Sequence, residues 1–271
     1  MSGIFILAGC GKMGGAMLDG WIESGHADDG VHVIEPFVAA VERFANAPQV
    51  TLHKAADEIP AGVTPTVVIL AVKPQTMDEA IVPLRRFVGP DTVFLSIAAG
   101  KTIAYFESKL GAEASIVRAM PNTPAAVGRG ITVHAPNARV SAEQNTICSA
   151  LLSAVGEVIA VEDEGLLDPV TAVSGSGPAY VFLLIEAMAA AGERAGLPAA
   201  LSMQLARTTV SGSGELARLS NEETDQLRKN VTSPGGTTAA ALEVLMADDG
   251  IQPVFDRAIA AATKRSQDLA G

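Results

Sequence analysis

Short apolar runs alternate with amphipathic segments along the first part of the chain. The runs are rich in Val, Ile and Leu and lack polar alternation, which predicts strands buried on both faces of a parallel sheet. The amphipathic segments predict helices on both faces of that sheet, and hence a doubly wound α/β domain. The predicted strands are Ile4–Ala8, Val31–Ile34, Thr66–Val72, Thr92–Ser96 and Ser115–Val117, and the helices between them include Met13–Glu23, Val38–Ala45 and Met77–Phe87. Two further strand candidates, Gly130–His134 and Val158–Val161, flank a helical segment at Ala142–Ala154.

After about residue 163 the pattern becomes helical throughout, so we expect two domains, residues 1–163 and an all-α domain, residues 164–271. The segment Val181–Ala191 is apolar almost all round apart from Glu186. Such a helix has to be buried on most faces. In so small a domain a second copy is the simplest source of cover, so we expect a homodimer through the C-terminal helices, or a larger assembly of dimers. The predicted helices are Ala179–Ala195, Ala199–Leu219, Thr237–Ala247 and Ile251–Asp268.

A glycine-rich turn directly follows the first predicted strand and opens the first predicted helix. Residues 9–14 read GCGKMG, the G-x-G-x-x-G pattern of a dinucleotide-binding, Rossmann-like domain. Gly9 allows the tight turn, Gly11 lets the backbone approach a pyrophosphate, and Gly14 permits close packing of helix on strand. Lys12 and Met13 begin the helix, whose N-terminal N–H groups attract anions. The strand before and the helix after favour a cofactor site over a merely structural turn.

Glu35 ends the second predicted strand, 21 residues beyond Gly14. An acid at this place accepts hydrogen bonds from the ribose hydroxyls of NADH and repels the 2′-phosphate of NADPH. No arginine adjoins it, and Arg43 is the nearest in the sequence. We therefore expect NADH or NADPH as the cofactor, with NADH preferred. The alternative is that Glu35 is an exposed acid at a strand end.

Charge and composition exclude several classes of protein. A formal net charge of −11 argues against a nucleic-acid partner, which requires clustered Lys and Arg. Two cysteines and four scattered histidines give no spacing typical of a metal site. The N-terminus lacks the basic region of a signal peptide, and the longest weakly charged stretch contains Ser-Gly-Ser-Gly-Pro at residues 174–178. We expect a cytoplasmic protein without a membrane partner.

Four longer segments resemble those of the pyrroline-5-carboxylate reductase family, and they occur in the family's order along essentially the whole chain. They are AVKPQ at residues 71–75, MPNTP at 120–124, DPVTAVSGSGPAY at 168–180 and VTSPGGTT at 231–238. Each segment alone is only suggestive, but the set is specific. The resemblance implies a reductase that transfers hydride from NAD(P)H to the small-molecule substrate L-1-pyrroline-5-carboxylate and releases L-proline, the last step of proline synthesis.

The reaction requires a site for the substrate carboxylate and a proton for the imine nitrogen. Residues 233–238, SPGGTT, precede an apolar helix, so the N–H groups of Gly236, Thr237 and Thr238 are expected at a helix N-terminus that faces an anion. Ser233 and Gly235 complete the predicted substrate loop. The resemblance places Thr238 near the imine nitrogen as the catalytic residue, although water or an already protonated substrate can serve instead. The alternative is a Ser/Thr helix cap with a glycine-rich turn.

The resemblance also implies further contacts with the cofactor. Ala71, Lys73 and Pro74 are expected to bind the cofactor. Lys73 is expected at its phosphate or ribose, although an ordinary surface lysine is nearly as good an explanation. Ala98, within the segment Ala98–Gly100, and Asn122 are expected to line the nicotinamide region beyond the carboxyl ends of the strands.

Three other functions compete with this interpretation. A β-hydroxyacid dehydrogenase shares the two-domain plan but needs a catalytic lysine after a G-x-x-G element, and this chain has no lysine between Lys109 and Lys229. A non-catalytic dinucleotide-binding sensor would not need the loop at residues 233–238. Reduction of a related cyclic imino acid stays open, because ring size depends on the shape of the pocket.

Overall fold

The computed structural model describes residues 3–269. The chain forms two compact units. The first comprises the chain up to Gly175 together with the residues from Ala262 onward, and the second comprises Ser176–Ala261.

The first unit is built on an eight-stranded sheet with the order β3-β2-β1-β4-β5-β6-β7-β8. All neighbouring strands are parallel except β6 and β7, which are antiparallel. The strand order reverses direction at β1 and β4, the point at which doubly wound sheets bind ligands. The strands are β1 Phe5–Ala8, β2 Val31–Ile34, β3 Val50–His53, β4 Val67–Leu70, β5 Val93–Ser96, β6 Ser115–Met120, β7 Gly130–Pro136 and β8 Gly156–Ala160.

Helices cover both faces of this sheet. Phe5 and Leu7 of β1 belong to one buried cluster, whereas Ile6 and Ala8 belong to another, so successive side chains of one strand enter different cores. Trp21 fills the first cluster, and its indole N–H donates to the Leu151 carbonyl at 2.8 Å. The α-helices in this unit are α1 Lys12–Glu23, α2 Val38–Val41, α3 Met77–Ile81, α4 Ile103–Leu110, α5 Ala142–Ser153 and α6 Leu167–Val170, which a π-helical turn, Thr171–Gly175, follows.

The predicted doubly wound domain is confirmed, and it differs from the prediction in several details. The strand β3 and the helix α4 were not predicted, and β7, one of the two further strand candidates, pairs antiparallel with β6. The predicted helix Met77–Phe87 changes from α3 to a 3-10 helix over Val82–Phe87, because Pro83 removes one N–H donor from the α-helical pattern. The predicted helix Val38–Ala45 is likewise short, with α2 followed by a 3-10 helix.

The second unit is helical, as predicted, and buries little of its own apolar surface. Its helices are α7 Gly177–Arg194, α8 Ala199–Leu219, α9 Thr224–Asn230 and α10 Thr237–Leu245, together with the first part of α11 Ile251–Leu269. The helices α7 and α8 approach closely at Ser202, whose hydroxyl donates to the Ala189 carbonyl at 2.6 Å. Large apolar side chains of this unit stay exposed, among them Phe182 and Leu183 of α7, Met203 of α8 and Phe255 of α11.

Candidate active site

The register of the parallel strands brings the predicted cofactor residues to one edge of the sheet. Ala8, the last residue of β1, pairs with Ile34 on one side and with Leu70 on the other. Leu70 in turn pairs with Ser96. The residues that follow these strand ends are those predicted from the sequence: the glycine-rich turn, Glu35, Ala71 and Ala98. The carboxyl edge of the sheet therefore collects segments that lie up to 90 residues apart in the chain.

The glycine-rich turn requires its glycines for steric reasons. Gly9 has φ +92°, and a Cβ atom there would lie 2.8 Å from the Ala71 carbonyl carbon. A Cβ atom on Gly14 would lie 2.3 Å from the Gly9 carbonyl oxygen. Contacts this short with backbone atoms exclude any side chain, so α1 packs directly on the end of β1. The first and third glycines thus have the structural roles that the sequence predicts.

Gly11 differs from the other two glycines because space is open beside it. A Cβ atom on Gly11 would meet no atom of the described residues within 4 Å, its chain neighbours apart. Gly11 is the N-cap of α1, and within residues 3–269 no side chain caps this helix end. The first N–H groups of α1, from Lys12 and Met13, thus have no side-chain cap among the described residues, an arrangement that suits an anion such as a pyrophosphate.

Glu35 is held at the end of β2 beside this turn. Its Oε2 accepts a hydrogen bond from the Cys10 N–H at 2.9 Å, and its Oε1 accepts one from the Phe37 N–H at 3.1 Å. A carboxylate has further lone pairs, so both oxygens can still accept hydrogen bonds from ribose hydroxyls. Arg43, the nearest arginine in the sequence, forms an ion pair with Asp19 at 2.7 Å.

The Cys10 thiol lies within the turn but is not a nucleophile. Burial, the larger cause, and the negative charge of Glu35, the second, raise the pKa of Cys10 to about 11. A thiol with this pKa stays protonated near neutral pH, and the thiolate is the reactive form. Cys10 therefore contributes its backbone N–H and its apolar volume to the site.

The segments after β4 and β5 border the turn with different degrees of burial. Ala71 contacts Gly9 and Gly14, and its N–H donates to the Ala8 carbonyl at 2.8 Å. Lys73 is exposed, and Pro74 begins a 3-10 helix over Pro74–Thr76. Ala98 is buried. The structure thus places Ala71 and Ala98 in the packed wall and leaves the Lys73 side chain at the surface.

Asn122 joins three segments through its side-chain amide. Its Oδ1 accepts a hydrogen bond from the Ile131 N–H at 3.0 Å, and its Nδ2 lies 3.3 Å from both the carbonyl oxygen and the hydroxyl of Ser174. The amide therefore fixes the loop after β6 against β7 and the π-helical turn. This bridging role was not predicted from the sequence, which gives no sign of contacts across 52 residues.

The predicted substrate loop precedes α10 in the second unit. Gly235 has φ +70°, which favours glycine, and Gly236 is the N-cap of α10. The Gly236 N–H donates to the Ser233 carbonyl at 3.0 Å, which removes it from the expected set of free donors. Thr237 and Thr238 begin the helix, as predicted.

The hydroxyl groups around α10 do not cap it. Elsewhere in this chain Thr102 and Ser141 are side-chain caps, which accept hydrogen bonds from the N–H groups of Tyr105 and Gln144 at 3.1 Å. In α10 no such cap hydrogen bond occurs among the described residues, although Ser233 and two threonines lie there. The alternative of a Ser/Thr helix cap is therefore wrong, and the loop presents N–H donors and hydroxyls together, which suits a carboxylate.

Arg118 is a polar residue that the sequence reading missed. It lies in the apolar strand β6, its side chain is 6% exposed, and its Nη1 lies 2.8 Å from Glu164 Oε1. The signal was present in the sequence, since an arginine inside the run SIVRAM has to find a buried partner. The identity of that partner, 46 residues later, was not readable from the pattern.

Comparison with known proteins identifies the family. Residues 164–269 match the family model described as pyrroline-5-carboxylate reductase dimerisation, and residues 3–100 match one described as NADP oxidoreductase coenzyme F420-dependent. Pyrroline-5-carboxylate reductase of Pseudomonas aeruginosa is 38% identical over 262 residues, covering 97% of this chain and 95% of that protein. The chain belongs to the pyrroline-5-carboxylate reductase family. The Escherichia coli enzyme of that name is 35% identical, with 96% of each chain covered.

Solved structures of this family show the same architecture. The pyrroline-5-carboxylate reductase of Coxiella burnetii superposes with a TM-score of 0.92 at 32% identity, and all of both chains is covered. The Plasmodium falciparum pyrroline carboxylate reductase, solved with NADP bound, has a TM-score of 0.79 at 28% identity, with 98% of each chain covered. Membership of this family makes the chain an NAD(P)H-dependent oxidoreductase.

The open space beside Gly11 leads to a test of the cofactor site. Gly11→Ala should fold normally, because its methyl group meets no other residue, but should raise the Kd for NADH more than tenfold by filling the pyrophosphate space. Fluorescence titration measures the affinity and thermal unfolding measures the fold. Gly62→Ala is the matched control, since a Cβ atom there also meets nothing within 4 Å, and it should leave both unchanged. Native NADH affinity in Gly11→Ala would place the pyrophosphate elsewhere.

Proposed function

We propose that this chain reduces L-1-pyrroline-5-carboxylate to L-proline, the final step of proline biosynthesis. The observation that carries the proposal is the similarity to pyrroline-5-carboxylate reductases over 97% of the chain, which includes both the dinucleotide turn and the loop before α10. A non-catalytic sensor would have no use for the second of these. Reduction of a related cyclic imino acid is the second candidate, and comparison of five- and six-membered imines as substrates decides between them.

The chain would bind the cofactor along the carboxyl edge of the sheet. We assign the pyrophosphate to Gly9, Gly11 and the first turn of α1, where Lys12, Met13 and Gly14 lie. We assign three further segments to the rest of the cofactor, toward the nicotinamide. They are the segment of Ala71, Lys73 and Pro74, the segment of Ala98, and the loop that Asn122 holds in place. When bound, the reduced nicotinamide supplies the hydride for the imine carbon.

The loop before α10 would hold the substrate. We assign the carboxylate to the N–H groups of Thr237 and Thr238 and to the hydroxyl of Ser233, with Gly235 and Gly236 shaping the turn. As hydride reaches the carbon of the C=N bond, the electron pair of that bond moves to nitrogen, which must carry a proton to become the secondary amine of proline. We propose that the Thr238 hydroxyl hydrogen-bonds this nitrogen and relays the proton from water.

The Thr238 hydroxyl provides the sharpest test of this assignment. Thr238→Ala should lower kcat/KM for the imine by roughly 10- to 100-fold and leave the Kd for NADH within about threefold, because the residue lies outside the dinucleotide turn. Thr238→Ser keeps the hydroxyl and should retain most of the activity. Stopped-flow absorbance at the nicotinamide band and fluorescence titration measure the two quantities. Near-native turnover of Thr238→Ala would remove this hydroxyl from the mechanism.

We further propose that NADH is preferred over NADPH. The support is the Glu35 carboxylate, which two N–H groups hold at the end of β2, and the ion pair that Arg43 already makes with Asp19. A carboxylate in this place accepts hydrogen bonds from ribose hydroxyls and repels a 2′-phosphate.

A single substitution tests the coenzyme preference. Glu35→Gln removes the negative charge and should shift the ratio of kcat/KM values, NADH over NADPH, toward NADPH by about tenfold. Steady-state kinetics with both coenzymes measure the ratio. Glu42→Gln is the matched control, an exposed acid of the next segment, and should leave the ratio unchanged. A native enzyme that favours NADPH by tenfold or more would contradict the proposal.

A homodimer, or an assembly of dimers, is the proposed functional form. Within one chain the α7 side chains Val181, Phe182 and Leu183 are 44%, 59% and 62% exposed. An apolar surface of this kind marks a contact with another protein chain. We propose the division into residues 1–163 and 164–271 from the match to the dimerisation region, residues 164–269. The two compact units divide later, after Gly175, and the last part of α11 belongs to the first unit. A cytoplasmic location without a membrane or nucleic-acid partner stays a prediction from the sequence.

The proposed subunit contact can be tested with one matched pair of variants. Val181→Glu places a charge in the apolar surface of α7 and should convert the dimer into monomers at micromolar concentration, because an unpaired charge is costly to bury. Val82→Glu makes the same change at an exposed valine of the first unit and should stay dimeric. Sedimentation velocity measures the mass. A native protein that is a stable monomer would overturn the proposal.

A further inference from the structure

Arg118, Glu164 and Asp168 form a largely buried charge cluster in the first unit, here called the Arg118 cluster. Glu164 Oε1 lies 2.8 Å from Arg118 Nη1, and Asp168 Oδ1 lies 3.9 Å from Arg118 Nη2. The side chains are 6%, 27% and 15% exposed in the order Arg118, Glu164, Asp168. A buried ion pair contributes little net stability compared with apolar packing, so stability alone is a weak explanation for it.

One oxygen of Glu164 has two partners in different segments. Besides Arg118, Oε1 accepts a hydrogen bond from the Ile103 N–H at 2.8 Å. Ile103 is the first residue of α4, so the carboxylate lies at the positive end of that helix and satisfies one of its free N–H groups. Glu164 therefore links the start of α4 directly to β6.

This link anchors the far end of the segment of residues 97–102, which contains Ala98. At the start of the segment, Ser96 pairs with Arg118 across β5 and β6. At its end, Ile103 bonds to the carboxylate that Arg118 holds. Both ends of the segment are thus fixed to the same residue of β6.

The same cluster borders the second segment assigned to the nicotinamide. β6 ends at Met120, two residues beyond Arg118, and the loop of Asn122 follows directly. On the other side, Asp168 accepts a hydrogen bond from the Ser266 hydroxyl at 2.7 Å and lies in α6, directly before the π-helical turn. Ser174 of that turn contacts the Asn122 amide. The Arg118 cluster therefore fixes the surroundings of both loops.

We propose, on the basis of the function proposed above, that Glu164 is a positioning residue for the reduction. It acts through Ile103 and Arg118 and holds the segment 97–102 and the end of β6 at a fixed separation. A nicotinamide ring bound between these two loops would thereby be held at the angle and distance that hydride transfer requires. Small displacements of reacting groups cost large factors in rate. The pyrophosphate and ribose assigned to the glycine-rich turn and to Glu35 lie outside these loops, so their binding should be unaffected.

The first test needs neither substrate nor cofactor. In the free enzyme, Glu164→Ala should increase the rate of amide hydrogen exchange in the peptide of residues 97–110 by tenfold or more, because the Ile103 N–H loses its acceptor. Glu164→Gln keeps an acceptor oxygen at the same reach and should stay within about threefold of the native rate. Glu162→Ala is the matched control, an exposed acid two residues earlier, and should change nothing. Unchanged exchange in Glu164→Ala would overturn the positioning role.

The second test measures hydride transfer and distinguishes the length of the Glu164 side chain from its negative charge. Glu164→Asp keeps the charge but is one methylene shorter, and it should lower the single-turnover rate of hydride transfer by roughly 10- to 100-fold with the Kd for NADH within about threefold. Glu164→Gln should retain most of the rate of hydride transfer. The pair Glu164→Asp and Glu164→Gln keeps the proposal testable even if Glu164→Ala does not fold. A native rate in Glu164→Asp, or an equal loss of NADH affinity, would contradict the proposal. Absence of turnover in the unsubstituted enzyme would instead overturn the proposed function.

Discussion

The close approach of backbone to backbone at the end of β1 is the constraint on which the site depends. Gly9 lies against the Ala71 carbonyl, and Gly14 lies against the Gly9 carbonyl, at distances that admit no Cβ atom. This packing brings α1 directly onto the sheet where the strand order reverses. Only then do the open space at Gly11 and the carboxylate of Glu35 lie at the same edge, where one extended ligand can contact both.

The two units differ in how their apolar surface is removed from water. The first covers both faces of its sheet with its own helices, so β1 is buried on either side. The second has helices with little core of their own, since Ala189, Ser202 and Ala206 are the residues that α7 and α8 bury. A surface of this kind is stable in water when another copy covers it. The family's dimerisation region coincides with it.

The sequence predicted what short-range patterns encode. Continuous apolar runs identified the strands that are buried on both faces, and the glycine spacing identified the turn. The strand β3 was missed because Thr51 and His53 interrupt its apolar pattern at the edge of the sheet. The direction of β7 and the partners of Arg118 and Asn122 depend on residues far apart in the chain, which no local pattern contains. That no described side chain caps α10 also required coordinates, because a capping serine and a ligand-binding serine look alike in sequence.

The reaction with racemic pyrroline-5-carboxylate tests the central claim most directly. With NADH in excess, the purified enzyme should oxidise one NADH for each L-proline formed and should stop when the L-imine, half of the racemate, is consumed. Absorbance of the nicotinamide together with chiral analysis of the product measures both quantities. A folded protein that binds NADH yet forms no proline with either coenzyme would contradict the account, and it would point to another imine or to a role in sensing.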